Sequence, residues 1–307
     1  MSLFRNAAYD VKRNKILLLM LFPAVLYFFI FSYIPMAGII LAFERLDYSL
    51  GIFRSPWVGF ENFKFFFLSG QAFNVTRNTV LYNAVFLLVG TVFQISLAIF
   101  LSELGRKFFK KVTQAMMFLP YFISWVVVGS FAYNIFNFEF GALNTLLKEL
   151  DMQPVDVGSN PEAWKFILVF FNTWKYAGYG SVMYLAAIMG IDSEMYEAAE
   201  IDGANIFQKV TRITIPCLVP TIIILALLSI GNIFRGDFDM FYQLVGTNGL
   251  LFDATDVIDT FVFRSLMFSQ EFGMAAAAGL YQSVLCFTIL NFTNFLVRRV
   301  DKDYSLF

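Results

Sequence analysis

A lysine stands where lipid is expected. In FFNTWKYAGYG, Lys175 lies about 12 residues from the outer end of an apolar run, roughly 18 Å along an α-helix and so near mid-membrane. An ionisable side chain at that depth is a functional candidate. Asn172, Trp174 and Tyr176 flank it, and Gly178 and Gly180 permit close helix approach or a local kink. Asn and Lys donate hydrogen bonds to hydroxyls, and Trp or Tyr covers the apolar face of a sugar ring. The chemistry indicated is therefore binding of a hydroxyl-rich solute. The same residues fit a second arrangement, in which Lys175 pairs with an acid such as Asp237 and only locks helices together. A later stretch, GNIFRGDFDMF, sets Asn232 and Arg235 at the outer end of another run, with Asp237 and Asp239 following in an outer vestibule. Tyr281, Gln282 and Ser283 stand about a third of the way into the last run. These outer-half residues either converge on one cavity or each satisfy an interhelical hydrogen bond. Lys175 and Arg235 would suit an acidic sugar.

Catalysis is not indicated. The chain has no histidine, which removes a histidine base and most zinc sites. Cys217 and Cys286 both lie in apolar runs and read as small core residues. No catalytic and no metal-binding residue is expected. A net charge of -1 gives no sign of a nucleic-acid partner.

The elements that must carry these residues follow from composition. Of 307 residues, 59% are apolar and 15% charged, 40 are phenylalanine, and the mean hydropathy is +0.67. That excess exceeds what a soluble core holds and points to lipid as solvent. Runs of about 20 apolar residues predict six spans, near 16–43, 79–104, 112–136, 163–190, 217–234 and 275–297. The first is basic at its front but too long for a signal peptide's apolar region, and is expected to stay as an anchor. Basic residues alternate between loops: Arg5, Lys12, Arg13 and Lys15 before the first span, Arg106, Lys107, Lys110 and Lys111 in the second loop, Lys209 and Arg212 in the fourth, and Arg298, Arg299 and Lys302 at the end. The positive-inside rule then sets both termini in the cytoplasm. The expected fold is all-α and polytopic over 1–307. Its outer loops include 44–78, where VGFENFKFFF suggests an interfacial helix, and 235–274. Glu103, beside Arg106 and Lys107, reads as interfacial charge balance.

The fourth loop, 191–216, is expected on the cytoplasmic side and is polar and rich in helix formers. Ser193 or Asp192 can cap a helix. Met195, Ala198, Ala199 and Asp202 share one face, and Gly203 ends the helix or turns it. A second helical stretch, 206–212, is expected, with Pro216 starting the next span. The result is a helix–turn–helix whose small-residue face admits another protein's surface.

The spacing Glu197-Ala198-Ala199, Gly203, Ile213-x-Ile215-Pro216 resembles the EAA signature of permeases of ATP-driven (ABC) importers, with isoleucine where leucine is usual before the proline. LLLMLFPAVLYFFIFSYIPMAGIILAFERLDYS, WVGFENFKFFF and RNTV resemble the maltose-type carbohydrate permeases, nearest the polysaccharide and oligosaccharide subgroup, and DFDMFYQLVG matches more loosely. The resemblance implies a type I importer permease in a bacterial cytoplasmic membrane. It implies that the loop is a coupling helix seated on a cytoplasmic ATPase, with Glu197 and Gly203 at hallmark positions. The chain has no GxxxxGK(S/T) loop, so ATP and Mg would be bound by a partner ATPase, present in two copies. The further partners implied are a second, homologous permease, an extracellular or periplasmic solute-binding protein, and membrane lipid. The solute implied is an oligosaccharide. An ion-coupled carrier acting alone is the alternative; it needs buried carboxylates for the ion, and none stands clearly at mid-membrane.

Overall fold

The computed structural model describes residues 13–300; Arg5, Lys12 and Lys302 lie outside the described residues. Every regular element among them is helical. Helix α1, Lys15–Phe28, runs through a wide turn at Phe29–Tyr33 into a tight 3₁₀ stretch, Ile34–Phe43. Then come α2 (Glu61–Leu68), α3 (Gln71–Glu103), α4 (Lys107–Phe122), α5 (Trp125–Phe136), α6 (Ala142–Glu149) and α7 (Pro161–Met189). The loop helices α8 (Ser193–Ile201) and α9 (Ile206–Lys209) precede α10 (Ile215–Ile230). The last are α11 (Phe238–Val245), α12 (Phe252–Thr255), α13 (Ile258–Met267) and α14 (Phe272–Val300).

Four helical runs among the described residues are long and apolar enough to cross a membrane: Lys15–Phe43, Gln71–Glu103, Ile206–Ile230 and Phe272–Arg299. The third expected span departs from the sequence reading. It is two helices, α4 and α5, bent by 88°. Pro120 weakens the end of α4, and the Ser124 side chain accepts from Val127 N–H to start α5 afresh. The fourth expected span is the single helix α7, 29 residues long. It is less apolar than the others, carrying Glu162, Lys165 and Lys175, because it packs against protein rather than lipid. Trp164, Leu168, Phe171, Lys175, Gly178, Ser181, Leu185 and Ile188 are buried along it.

The second helical stretch of the loop also differs. It closes as α9 at Lys209, and Val210–Thr214 widens into a π turn, Ile215 N–H reaching back to Val210 O. Pro216 therefore sits inside a continuous helical run from Ile206 to Ile230 rather than at the head of a new one. The cause is local. Proline offers no N–H to the carbonyl one turn back, and the helix accommodates the gap by adding a residue to the preceding turn. The same device precedes Pro35, where Phe29–Tyr33 is the π turn.

Three buried clusters hold the bundle. One joins Tyr82, Trp125, Leu168, Phe171, Met240 and Phe241. A second joins Phe66, Val75, Ile258, Phe261 and Ala278. A third, near the loop helices, joins Ala98, Leu101, Tyr184, Leu185 and Leu218. By contrast, no residue of 15–33 is buried, and along the whole first run Ala42 is the one apolar residue that is.

Candidate functional site

The loop at 191–216 is built from paired turns. Asp192 accepts from Glu194 N–H at 3.0 Å and caps α8, so of the two caps open in the sequence it is the aspartate that serves. At the other end Ala204 N–H bonds Ala199 O at 2.9 Å and Gly203 N–H bonds Glu200 O at 3.0 Å. These are the two bonds of a Schellman closure. It needs a left-handed residue, and Gly203 supplies it at φ +77°. Asn205 and Gln208 then cap each other's backbone at 2.9 and 2.8 Å to start α9. Lys209 bridges back to Glu200 at 2.7 Å, and this hydrogen bond holds the Glu200 carboxyl below the usual carboxylate range. Tyr196 O–H meets Thr214 Oγ1 at 2.9 Å, tying α8 to the start of the span.

The two loop helices are thus braced to each other and to α10. What they leave outward is also defined. Glu197, Ala198 and Asp202 are exposed and Ala199 half-buried, while Ile213 is half-buried and Pro216 exposed. The Glu197 side chain makes no hydrogen bond or ion pair among the described residues. Exposed on the same loop are two apolar side chains that the sequence analysis does not single out, Ile201 at 87% exposure and Phe207 at 79%. The signal for them is a pair of large apolar residues on either side of a glycine turn in an otherwise polar loop.

A cavity of about 630 Å³ opens between α3, α7, α10 and the turn that follows α10. Asn172, Tyr176, Asn232, Arg235 and Asp237 line it, and no residue of α14 does. Tyr176 O–H donates to Asp237 Oδ2 at 2.9 Å, and Asp237 Oδ1 accepts from Met240 N–H at 3.1 Å to cap α11. Asn83 donates to the carbonyls of Ile233 and Arg235, each at 2.8 Å, and so fixes the turn that carries Arg235. Gln94 packs so tightly on Gly180 that a Cβ there would collide with its amide. Asn83, Thr91 and Gln94 all line the cavity, and none of them is a candidate in the sequence analysis. They lie at i, i+8 and i+11, one face of α3, and polar residues repeating on one face of a span are the signal that marks them.

The other expected residues lie elsewhere. Trp174 packs on Phe171 with ring centres 6.2 Å apart, against the first buried cluster. Asp239 is exposed in the first turn of α11. Tyr281 O accepts from Thr76 O–H at 3.2 Å and stands edge-on to Phe66 and Phe67. Gln282 donates to Phe234 O at 2.8 Å and Asp259 Oδ2 at 2.9 Å. Asp259 also accepts from Gly236 N–H at 2.6 Å, and burial holds its carboxyl above the usual range.

Lys175 takes neither expected place. It is 5% exposed, outside the cavity wall, and makes no ion pair with Asp237. Its ammonium donates to Pro120 O at 3.3 Å, Tyr121 O at 3.1 Å and Ile123 O, with the Trp125 ring 5.0 Å away. Pro120 O also accepts from Ile123 N–H at 3.2 Å, while Tyr121 O and Ile123 O are carbonyls that the broken span would otherwise leave unsatisfied inside the membrane. A cation at a helix C-terminus also complements its dipole. Two glycine contacts brace the arms on either side of the break. A Cβ at Gly178 would strike the Met117 backbone, and one at Gly129 would strike Gln243 O.

Comparison with known proteins agrees with this architecture. A family model for the binding-protein-dependent transport system inner membrane component matches residues 90–302. The chain is 33% identical to Protein LplB of Bacillus subtilis (strain 168), over 95% of this chain and 92% of that protein. It is 30% identical to the polygalacturonan/rhamnogalacturonan transport system permease protein YteP of the same organism, over 95% and 90% respectively. Among solved structures it resembles a chain of a bacterial alginate ABC transporter in complex with an alginate pentasaccharide-bound periplasmic protein. The TM-score is 0.83 at 34% identity, covering 96% of this chain and 98% of that one.

Proposed function

The chain belongs to the binding-protein-dependent inner-membrane permeases, and from that premise we propose that it carries a polysaccharide-derived oligosaccharide through the cytoplasmic membrane for an ATP-driven importer. The observation that carries this reading is the loop at 191–216. Its helices are rigidly tied to α10, yet its outer surface presents an unpaired Glu197 carboxylate together with exposed Ile201 and Phe207. A rigid lever with an unfilled contact face suits a moving cytoplasmic partner. That partner is the ATPase, which binds ATP and Mg because this chain has no phosphate loop. Seated in a groove of that ATPase, Glu197 takes charge-assisted hydrogen bonds, and motion of the ATPase turns the spans as a rigid body. Alternation between inward-open and outward-open states follows, provided each partner binds one state better.

The cavity is the solute path in this reading. Asn172, Asn232 and Arg235 offer donors to sugar hydroxyls, and Tyr176 and Tyr179 offer ring faces. One chain supplies one wall and one coupling loop. A second, homologous permease supplies the others, and its surface also covers part of the bare first helix. Two ATPase copies and an outer solute-binding protein complete the assembly. The carrier acting alone is disfavoured because Lys175, a cation buried in the bundle, is consumed by backbone carbonyls and leaves no ion-coupling pair. Gentle purification of the native complex tests the proposal. An ATPase and a second permease in stoichiometric amounts are expected with this chain; a stable, transport-competent single chain overturns it.

A further inference from the structure

Two cavities meet at the end of the first helical run. One, about 600 Å³, is walled by Glu44, Asn62, Arg264, Ser265, Glu271 and others; its neighbour, about 380 Å³, is walled by Arg45, Glu61, Lys64, Phe65 and Leu68. Arg45 and Phe65 belong to both, so the two spaces adjoin along one side. Glu44 is the unusual residue. It is 5% exposed, and its Oε2 is fully buried without a hydrogen-bond partner. A buried carboxylate oxygen left unpaired is costly. The nearby cations do not relieve it, since Arg45 pairs with Glu61 at 2.9 Å and Arg264 with Asp256 at 2.5 Å. The backbone is fixed around it. Asn62 donates to the carbonyls of Leu41, Ala42 and Glu44, at 3.3, 3.0 and 3.0 Å.

The second space has the opposite character. Lys64 makes no ion pair among the described residues, and Arg45 is open to solvent beside it. Its apolar wall residues Phe65 and Leu68 are exposed, and so are Trp57, Phe60 and Phe67 on the neighbouring chain. A belt of aromatic residues at the end of an apolar 29-residue helix marks the depth of lipid headgroups.

We propose that this pair of cavities binds one zwitterionic phospholipid headgroup bearing a primary ammonium, as in phosphatidylethanolamine. The phosphate lies between Arg45 and Lys64, where charge-assisted hydrogen bonds form. The ammonium reaches the cavity wall at Glu44, whose carboxylate rotates to bring its unpartnered oxygen to that donor. The acyl chains leave over Phe65 and Leu68. A trimethylammonium headgroup fits the charge pattern but has no N–H to donate, so the site discriminates phosphatidylethanolamine from phosphatidylcholine through Glu44. This inference does not depend on what the protein transports.

Native mass spectrometry of the purified full complex tests it, with phosphatidylethanolamine and phosphatidylcholine of matched chains added in equal amounts. The wild type retains the first over the second by about tenfold, the scale of one charged hydrogen bond. Glu44→Gln brings the ratio near one with the complex intact. Lys64→Gln, an exposed change that leaves the fold alone, lowers retention of both lipids. Equal retention by the wild type overturns the proposal. So does a preference that survives Glu44→Gln, and so does an effect of Glu44→Gln on docking of the solute-binding protein without any change in lipid retention.

Discussion

Replacing Gly203 with valine is expected to lower solute-stimulated ATP hydrolysis and uptake by about tenfold or more, whereas asparagine at the same position retains most of both. The space around Gly203 is open, with nothing within 4 Å of where a Cβ would stand, so bulk alone is not the difficulty. The backbone is. At φ +77° the residue is left-handed, a conformation that costs an ordinary L-residue roughly 1–2 kcal/mol and a β-branched one more, while asparagine visits it readily. A penalty of about 1.4 kcal/mol is tenfold in population. Valine therefore drives the loop out of its Schellman turn, and the bonds from Ala204 to Ala199 and from Gly203 to Glu200 go with it. Helix α9 then no longer folds back to place Lys209 on Glu200. The complex then keeps only hydrolysis that solute does not stimulate and moves no solute, or fails to assemble. Equal activity of the valine and asparagine variants would mean that the turn carries no force.

Lys175→Met is expected to have the other large effect, and of a different kind. Methionine fills much the same volume but leaves the carbonyls of Tyr121 and Ile123 without the lysine donor in a buried site, and Pro120 O with Ile123 N–H alone. Each orphaned buried carbonyl costs about 1–3 kcal/mol. The break between α4 and α5 loses its pin, and α5, which carries Trp125 and packs against α11 through Gly129 and Gln243, loses its placement. The purified complex should melt several degrees lower without solute, and uptake should fall more than about tenfold. A residue that only contacted the solute would behave otherwise: normal thermal stability without solute, and a weakened half-saturation with it. Finding that second pattern would return Lys175 to the solute path.

These two sites show what a sequence can and cannot carry. The loop is legible because its signals are local. A capping acid at Asp192, a run of helix formers and one glycine at the turn specify a helix and its end without help from distant chain. The apolar helices are legible in the same way, since lipid selects composition over about 20 residues. The break at Ile123–Ser124 is not, because apolar residues continue on both sides and hydropathy does not register direction. Pro120 and Ser124 are the marks of it, a helix breaker and then a cap. The π turn before Pro216 is hidden because proline reads equally as a helix start or as an interior defect.

Lys175 is illegible for a deeper reason. Its partners are backbone carbonyls, and a backbone carbonyl has no letter in a sequence. Among side chains the sequence offers Asp237, which in the structure is occupied by Tyr176 and the cap of α11. Asn83 and Gln94 illustrate the reverse case. Their spacing on one face of α3 is in plain view, and only the assembled cavity gives it a meaning.

The most direct measurement of the coupling role is ATP hydrolysis and solute uptake by the complete complex in liposomes, with and without its loaded solute-binding protein. Hydrolysis is expected to rise severalfold with the loaded binding protein, and labelled oligosaccharide to accumulate inside only when ATP is supplied on the coupling-loop side. Glu197→Ala is expected to break both together. Accumulation driven by an ion gradient without ATP, or full uptake by the Glu197→Ala complex, would contradict a permease driven through its loop.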